Sequence, residues 1–139
     1  MGERVAAAVA YGDHGSTYGG NLLACRAALV FLEELIDRGL LGHVAKSGAL
    51  AHQQLQELAK RHTSIIDIRG EGMMWGIEVD GNTDASAIVT AALKRCLLIN
   101  RTAGSVIRLL PPLTITEDEL STALTTLEAA FAEAEARAS

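Results

Sequence analysis

Apolar and polar positions recur along this chain with two different periods, and the changes of period mark its elements. From Asn21 to Arg38, Leu23, Ala24, Ala27, Ala28, Phe31, Leu32 and Leu35 fall at helical spacing and predict a helix. Its first half is apolar nearly all round, which predicts burial on several sides, and Gly39 is placed to close it. A second helix is expected from about Gly42 to Arg61, with Val44, Gly48, Ala51, Leu55 and Leu58 on one face. The pattern then becomes that of strands. Ile65 to Ile68 reads as one, a Gly70-Glu71-Gly72 turn follows, and Met73, Trp75, Ile77 and Val79 alternate with Met74, Gly76 and Glu78. A third helix starts at Thr83 or Asp84 and runs to about Cys96, with Ala85, Ile88, Val89, Ala92 and Cys96 inward. Leu97 to Asn100 reads as a short strand, Ala103-Gly104 as a turn, and Ser105 to Leu109 as the returning strand. Pro111-Pro112 ends the sheet, because proline cannot donate to a ladder. Thr116 and Glu119 have capping-box spacing ahead of a helix striped by Leu120, Leu124, Leu127, Phe131 and Ala134.

The order ααββαββα predicts an α+β domain, a small antiparallel sheet covered by helices. Residues 1–19 carry no stable pattern. Within them, Val5 to Tyr11 reads as a strand or an approach segment.

Composition narrows the function classes. At 139 residues the chain can bury a core, and with 49% apolar and 21% charged residues it should fold. A net charge of −5 and the lack of a basic run argue against nucleic acid as a partner. No apolar stretch suits a bilayer, and Met1-Gly2-Glu3-Arg4-Val5 does not read as a secretory signal. Cys25 and Cys96 read as reduced core residues of a cytoplasmic protein. His43, His52 and His62 are spaced too widely to stack on adjacent helical turns, which speaks against a metal site.

The segment Gly12-Asp13-His14-Gly15-Ser16-Thr17-Tyr18-Gly19-Gly20-Asn21 is the most informative. Its glycines allow close backbone approach, Ser16 and Thr17 offer hydroxyl donors, and the following helix presents its positive end. Those features suit an anion such as phosphate. They also suit a glycine-rich connector that caps a helix. Within the segment, His14 fits a turn residue as well as a ligand. Arg108, between Ile107 and Leu109, should face away from its apolar neighbours, where a guanidinium can bind a carboxylate through two parallel hydrogen bonds or form a surface ion pair. Trp75 reads as core, Glu71 as a turn residue and Glu78 as a solvent-face residue.

This decapeptide resembles the HGST(F/Y)GGNPL segment of class III pyridoxal-phosphate aminotransferases, the group that contains acetylornithine and ornithine aminotransferases. Arg69-Gly70-Glu71-Gly72-Met73-Met74-Trp75-Gly76-Ile77-Glu78 resembles that family's RGxGLxxGIE strand pair, and Val106 to Leu113 its VxRxxPPL strand. The resemblance implies the C-terminal small domain of a fold-type-I transferase. Residues 1–20 would end the large cofactor domain with a phosphate-contacting loop, 21–38 would form the connecting helix, and 39–139 the small domain. It implies pyridoxal phosphate as cofactor, with Thr17 binding its phosphate across a homodimer interface. It implies Ser16 as a substrate contact, and Arg108 as the holder of the substrate α-carboxylate or the partner of an active-site glutamate.

The implied reaction moves an ω-amino group from N-acetylornithine or ornithine to 2-oxoglutarate, in arginine biosynthesis; the partners are then a small amino acid and a 2-oxo acid. Two features depart from the family. Leu22 stands where proline is usual, losing some preorganisation of the helix start. The Schiff-base lysine, the acid facing the pyridine nitrogen and the phosphate-binding glycine loop all precede the HGST segment in the family. Lys46, Lys60 and Lys94 lack that lysine's context. The expectation is a chain missing the N-terminal large domain and not competent alone. A free-standing, non-catalytic anion-binding or assembly module is the alternative, and a gene fragment without function of its own is the third reading.

Overall fold

A computed structural model describes every residue except Met1, Tyr11, Asp13, His14 and Ser139. The chain forms two compact units, residues 1–39 and 40–139.

In the first unit, α1 (Glu3–Ala8) precedes the glycine-rich loop and α2 (Leu22–Ile36) follows it. The run from Val5, expected as a strand or approach segment, is helical through Ala8. Alanine is the strongest helix former, Ala6 to Ala8 supply three in a row, and the Gly2 carbonyl accepts the N–H groups of Val5 and Ala6 at 3.0 Å. Among the described residues, no strand of this unit offers a ladder that would draw the segment into a sheet. Asn21 starts α2. Its Oδ1 accepts the N–H groups of Leu23 at 2.9 Å and Ala24 at 3.2 Å. Asp37 is the C-cap, and Gly39, at φ +75°, leads onward to the next helix. Burial of α2 on several sides was expected, yet none of its residues is buried. Periodicity reports which surface of a helix is apolar, not whether anything covers it.

The second unit contains α3 (Leu40–Arg61), β1 (Ile65–Glu71), β2 (Met74–Val79), α4 (Ala85–Lys94), β3 (Asn100–Thr102), β4 (Val106–Leu109) and α5 (Glu117–Ala138). The strands form one antiparallel sheet in the order β1-β2-β4-β3, so the expected α+β architecture is present. Trp75, Ile77, Val79 and Ile107 project from one face of the sheet into a core shared with Leu55 and Leu58 of α3, Ile88 and Ala92 of α4, and Leu124, Leu127 and Phe131 of α5. The other face is largely polar. It carries Asp67 and Arg69 of β1, Gly76 and Glu78 of β2, Arg108 of β4, and Asn100 and Thr102 of β3.

Local geometry explains how that polar face is set. In β1 the register shifts between Ile65, which pairs with Val79, and Asp67, which pairs with Glu78. This bulge leaves Ile66 exposed and turns Ile65 and Ile68 to the same side despite their odd spacing. Where α3 crosses the β1–β2 turn, a Cβ on Gly48 would lie 2.7 Å from the Gly72 carbonyl oxygen, so only glycine permits the approach.

The third helix departs from expectation at its end. It stops at Lys94, and Cys96 adopts φ +61° and is exposed rather than inward. The Cys96 N–H donates to Leu93 and the Leu97 N–H to Ala92, a left-handed stop that satisfies the last carbonyls. Cys25 is also exposed, so neither cysteine is a core residue, although both thiols are free. The left-handed stop sends Leu97 to Ile99 out as irregular chain, and the strand expected at 97–100 forms instead at Asn100–Thr102. The capping box is reciprocal: Glu119 accepts the Thr116 N–H at 2.9 Å, and the Thr116 hydroxyl accepts the Glu119 N–H at 3.2 Å.

Candidate functional site

The candidate residues occupy two places, one in each unit. Ser16 and Thr17 lie in the loop before α2, where Gly12, Gly19 and Gly20 take φ values of +99°, +56° and +72°. Left-handed glycines fold the loop back on itself without a Cβ penalty. Ser16 Oγ accepts the Gly19 N–H at 3.0 Å, a local turn that leaves its hydroxyl proton available for donation. Thr17 is exposed and makes no hydrogen bond among the described residues. It is not a helix cap, because Asn21 holds that position and takes two of the N–H groups at the start of α2. The donors left to meet an anion are thus mainly the two hydroxyls, with the helix dipole behind them. His14, part of the same motif, lies outside the described residues.

Arg108 lies on the polar sheet face. Gly76 of β2 is its partner on one side and Asn100 of β3 on the other. It is half-buried, its Nε donates to Asn100 Oδ1 at 3.2 Å, and it pairs with no carboxylate among the described residues. The other arginine of this face is spent on its neighbours: Arg69 Nη1 meets Asp67 Oδ2 at 2.5 Å and Glu78 Oε2 at 2.6 Å. A shallow cleft over Gly76 joins Arg108, Thr102, Met74, Glu71 and Arg69. Arg108 therefore presents to an open cleft a guanidinium with no ion-pair partner among the described residues, an arrangement suited to a carboxylate arriving from solvent.

The lysines are differently disposed. Lys46 Nζ is 2.6 Å from Glu117 and Lys60 Nζ 2.6 Å from Glu57, while Lys94 lies 4.0 Å from Glu133. The hydrogen bond to Glu117 holds the Lys46 ammonium above its ordinary value. Exposed, paired ammonium groups are poor nucleophiles.

Several contacts were not legible in the sequence. Asn100 beside Arg108 follows from the turn at Ala103-Gly104-Ser105, which sets Thr102 opposite Val106 and so Asn100 opposite Arg108. The Ala103-Gly104 signal marks where the chain folds back, but not which residue of the third strand meets Arg108. Trp75 is core, as expected, and its Nε1 donates to the Gly72 carbonyl at 2.8 Å while its ring stacks on His52. His62 and Ser64, both buried, share the Glu135 carboxylate, at 2.7 Å and 2.5 Å. These residues are more than 70 positions apart in sequence, beyond any local pattern. No group of three His, Cys, Asp or Glu side chains among the described residues is placed to hold a metal ion, and no described helix is long and apolar enough to cross a membrane.

Comparison with known proteins places these segments in context. The class III aminotransferase family model matches residues 1–131. The acetylornithine aminotransferase of Caldanaerobacter subterraneus subsp. tengcongensis is 45% identical over 122 residues, covering 88% of this chain and 31% of that protein. The Methanothermobacter thermautotrophicus acetylornithine aminotransferase is 44% identical over 125 residues, covering 90% of this chain and 32% of that protein. Among solved structures, an ornithine aminotransferase from Toxoplasma gondii superposes with a TM-score of 0.81 at 33% identity, over 96% of this chain and 32% of that one. The acetylornithine aminotransferase of Elizabethkingia anophelis superposes with a TM-score of 0.76 at 32% identity, over 93% and 33%. The chain spans about a third of the length of these relatives. Its fold is that of the C-terminal small domain of pyridoxal-phosphate-dependent aminotransferases, and the chain belongs to the class III aminotransferase family.

Proposed function

We propose that this chain is the C-terminal part of an acetylornithine/ornithine-type aminotransferase. The whole protein would transfer the ω-amino group of N-acetylornithine or ornithine to 2-oxoglutarate, in arginine biosynthesis. The observation that carries the reading is the family match across residues 1–131, which includes the loop, the strand pair and the Arg108 strand in order. In this reading residues 1–20 close the large domain, 21–38 connect, and 39–139 are the small domain.

The residues present fit part of the pyridoxal phosphate site. The loop's two hydroxyls, on backbone folded by left-handed glycines, are suited to a phosphate dianion. Thr17 would hold that phosphate in a neighbouring subunit of a homodimer, and Ser16 would contact substrate. Arg108 would bind and orient the substrate carboxylate, or pair with a glutamate of the large domain. When bound, the cofactor supplies an electron-withdrawing ring that stabilises negative charge developing on the amino acid. Lys46, Lys60 and Lys94, exposed and ion-paired, do not fit the proton-shuttling amine, so the chain alone would be inactive. Free thiols at Cys25 and Cys96 accord with a cytoplasmic enzyme.

The test is reduction of the purified chain with borohydride in the presence of pyridoxal phosphate, followed by mass-spectrometric mapping. Sparse labelling over Lys46, Lys60, Lys94 and the N-terminus is expected. Joining the chain to an upstream large domain of the family should produce one stoichiometric adduct and amino transfer to 2-oxoglutarate. A single stoichiometric adduct on a lysine of this chain alone would overturn the fragment reading, and a joined protein that binds cofactor but transfers no amino group would overturn the reaction.

A further inference from the structure

Arg108 owes its setting to its neighbour across the ladder. The turn at Ala103-Gly104-Ser105 takes φ +48° and +80° at its first two residues and fixes the β3–β4 register. That register puts Asn100 directly opposite Arg108, on the same face of the sheet. Across β2 the partner is Gly76, which brings no side chain of its own against the guanidinium.

A guanidinium has two edges that can grip a carboxylate, one containing Nε and one formed by the two terminal Nη groups. The Nε proton is already given to Asn100 Oδ1, at 3.2 Å. The edge left for a ligand is the terminal one. Asparagine is suited to this task because its amide oxygen accepts the hydrogen bond without bringing a charge. An aspartate there would neutralise Arg108, as Asp67 and Glu78 do for Arg69 on the same face. The cleft over Gly76 has room beside Arg108 and Thr102 for a small carboxylate.

We infer that Asn100 is a positioning residue for substrate recognition: by taking the Nε donor of Arg108, it makes the arginine receive the carboxylate of a small amino or 2-oxo acid end-on through its terminal nitrogens. The inference rests on the carboxylate-binding reading of Arg108. Asn100 acts through the arginine and does not itself touch the reacting atoms.

The test is a double-mutant cycle in the full-length enzyme containing this chain, read by calorimetric binding of glutarate, an unreactive dicarboxylate, and by the KM for 2-oxoglutarate. Asn100→Ala should weaken glutarate and raise KM about tenfold, as expected for loss of a hydrogen bond to a charged group, with kcat changed less. Asn100→Asp should weaken both further. In an Arg108→Ala background, Asn100→Ala should add nearly nothing, because its effect passes through the arginine. Parent-like binding by Asn100→Ala, or an equal loss with and without Arg108, would overturn the proposal. If Arg108→Ala itself binds glutarate like the parent, the carboxylate-binding reading fails. If the parent enzyme transfers no amino group, the proposed reaction fails separately, while the glutarate cycle still reads the Asn100–Arg108 coupling.

Discussion

Single side chains divide into those that hold the fold and those held ready for a ligand. Thr17, exposed and excluded from capping by Asn21, is of the second kind under the proposed function. Thr17→Ala in the intact enzyme should therefore weaken cofactor retention while leaving the thermal midpoint nearly unchanged; equilibrium dialysis of pyridoxal phosphate beside a melting curve checks both, and undiminished affinity would remove Thr17 from the site. Glu119 is of the first kind. The Thr116 N–H and hydroxyl hold its carboxyl below the ordinary range. A carboxyl with a lowered folded-state pKa stabilises the fold above its unfolded-state pKa, and that contribution disappears as pH falls through the folded-state value. Glu117, Glu128 and Glu133 are lowered in the same sense by hydrogen bonds to Lys46, Arg61 and Arg95. Melting temperatures should accordingly be flat near neutrality and fall on the acid side, below the ordinary carboxylate range. Glu119→Gln should flatten that fall, and an unaltered acid limb would show that the capping carboxylate contributes nothing to it.

At the scale of elements, most departures from the sequence reading come from how segments end. The α4 stop places Cys96 in a left-handed conformation that non-glycine residues adopt at a cost of about 1 kcal/mol. Cys96 is exposed, so its side chain contributes little packing. Cys96→Gly should then stabilise the second unit by about 1 kcal/mol in urea titration, and a neutral or destabilising result would mean the thiol makes compensating contacts. The same stop explains why the third strand begins at Asn100 rather than Leu97. Hydrophobicity marked Leu97 to Ile99 as strand, but a chain leaving a left-handed stop must first turn back to the sheet. The bulge at Ile66 is a similar case, since two adjacent isoleucines give no sign of which one the ladder will exclude. The most legible element is α5, whose capping box marks its start and whose five-residue apolar stripe is buried throughout.

For the whole molecule, the second unit has a core of its own, whereas α2 exposes Leu22, Leu23, Leu29, Phe31, Leu32 and Ile36. An apolar helix of that kind is an association surface when nothing covers it. The isolated chain should self-associate with rising concentration in analytical ultracentrifugation. The double substitution Leu29→Gln and Leu32→Gln should reduce that association, and a strictly monomeric parent chain would count against a surface that belongs to a larger assembly.

The sequence by itself determined the α+β class, the helices and strands of the second unit apart from the placement of β3, the buried stripe of α5 and the family. Each of these is written in local spacing: period, caps, turn residues and ordered motifs. It also singled out Ser16, Thr17 and Arg108 as candidates. Only the tertiary structure decided that Asn21 rather than Thr17 caps α2, that Cys96 faces solvent, and that Arg108 is held by Asn100 and left without a carboxylate among the described residues. Only the tertiary structure joined His62 and Ser64 to Glu135. Those outcomes depend on register and on contacts between distant segments, where one residue's shift in a ladder exchanges one neighbour for another, and no local pattern carries that information.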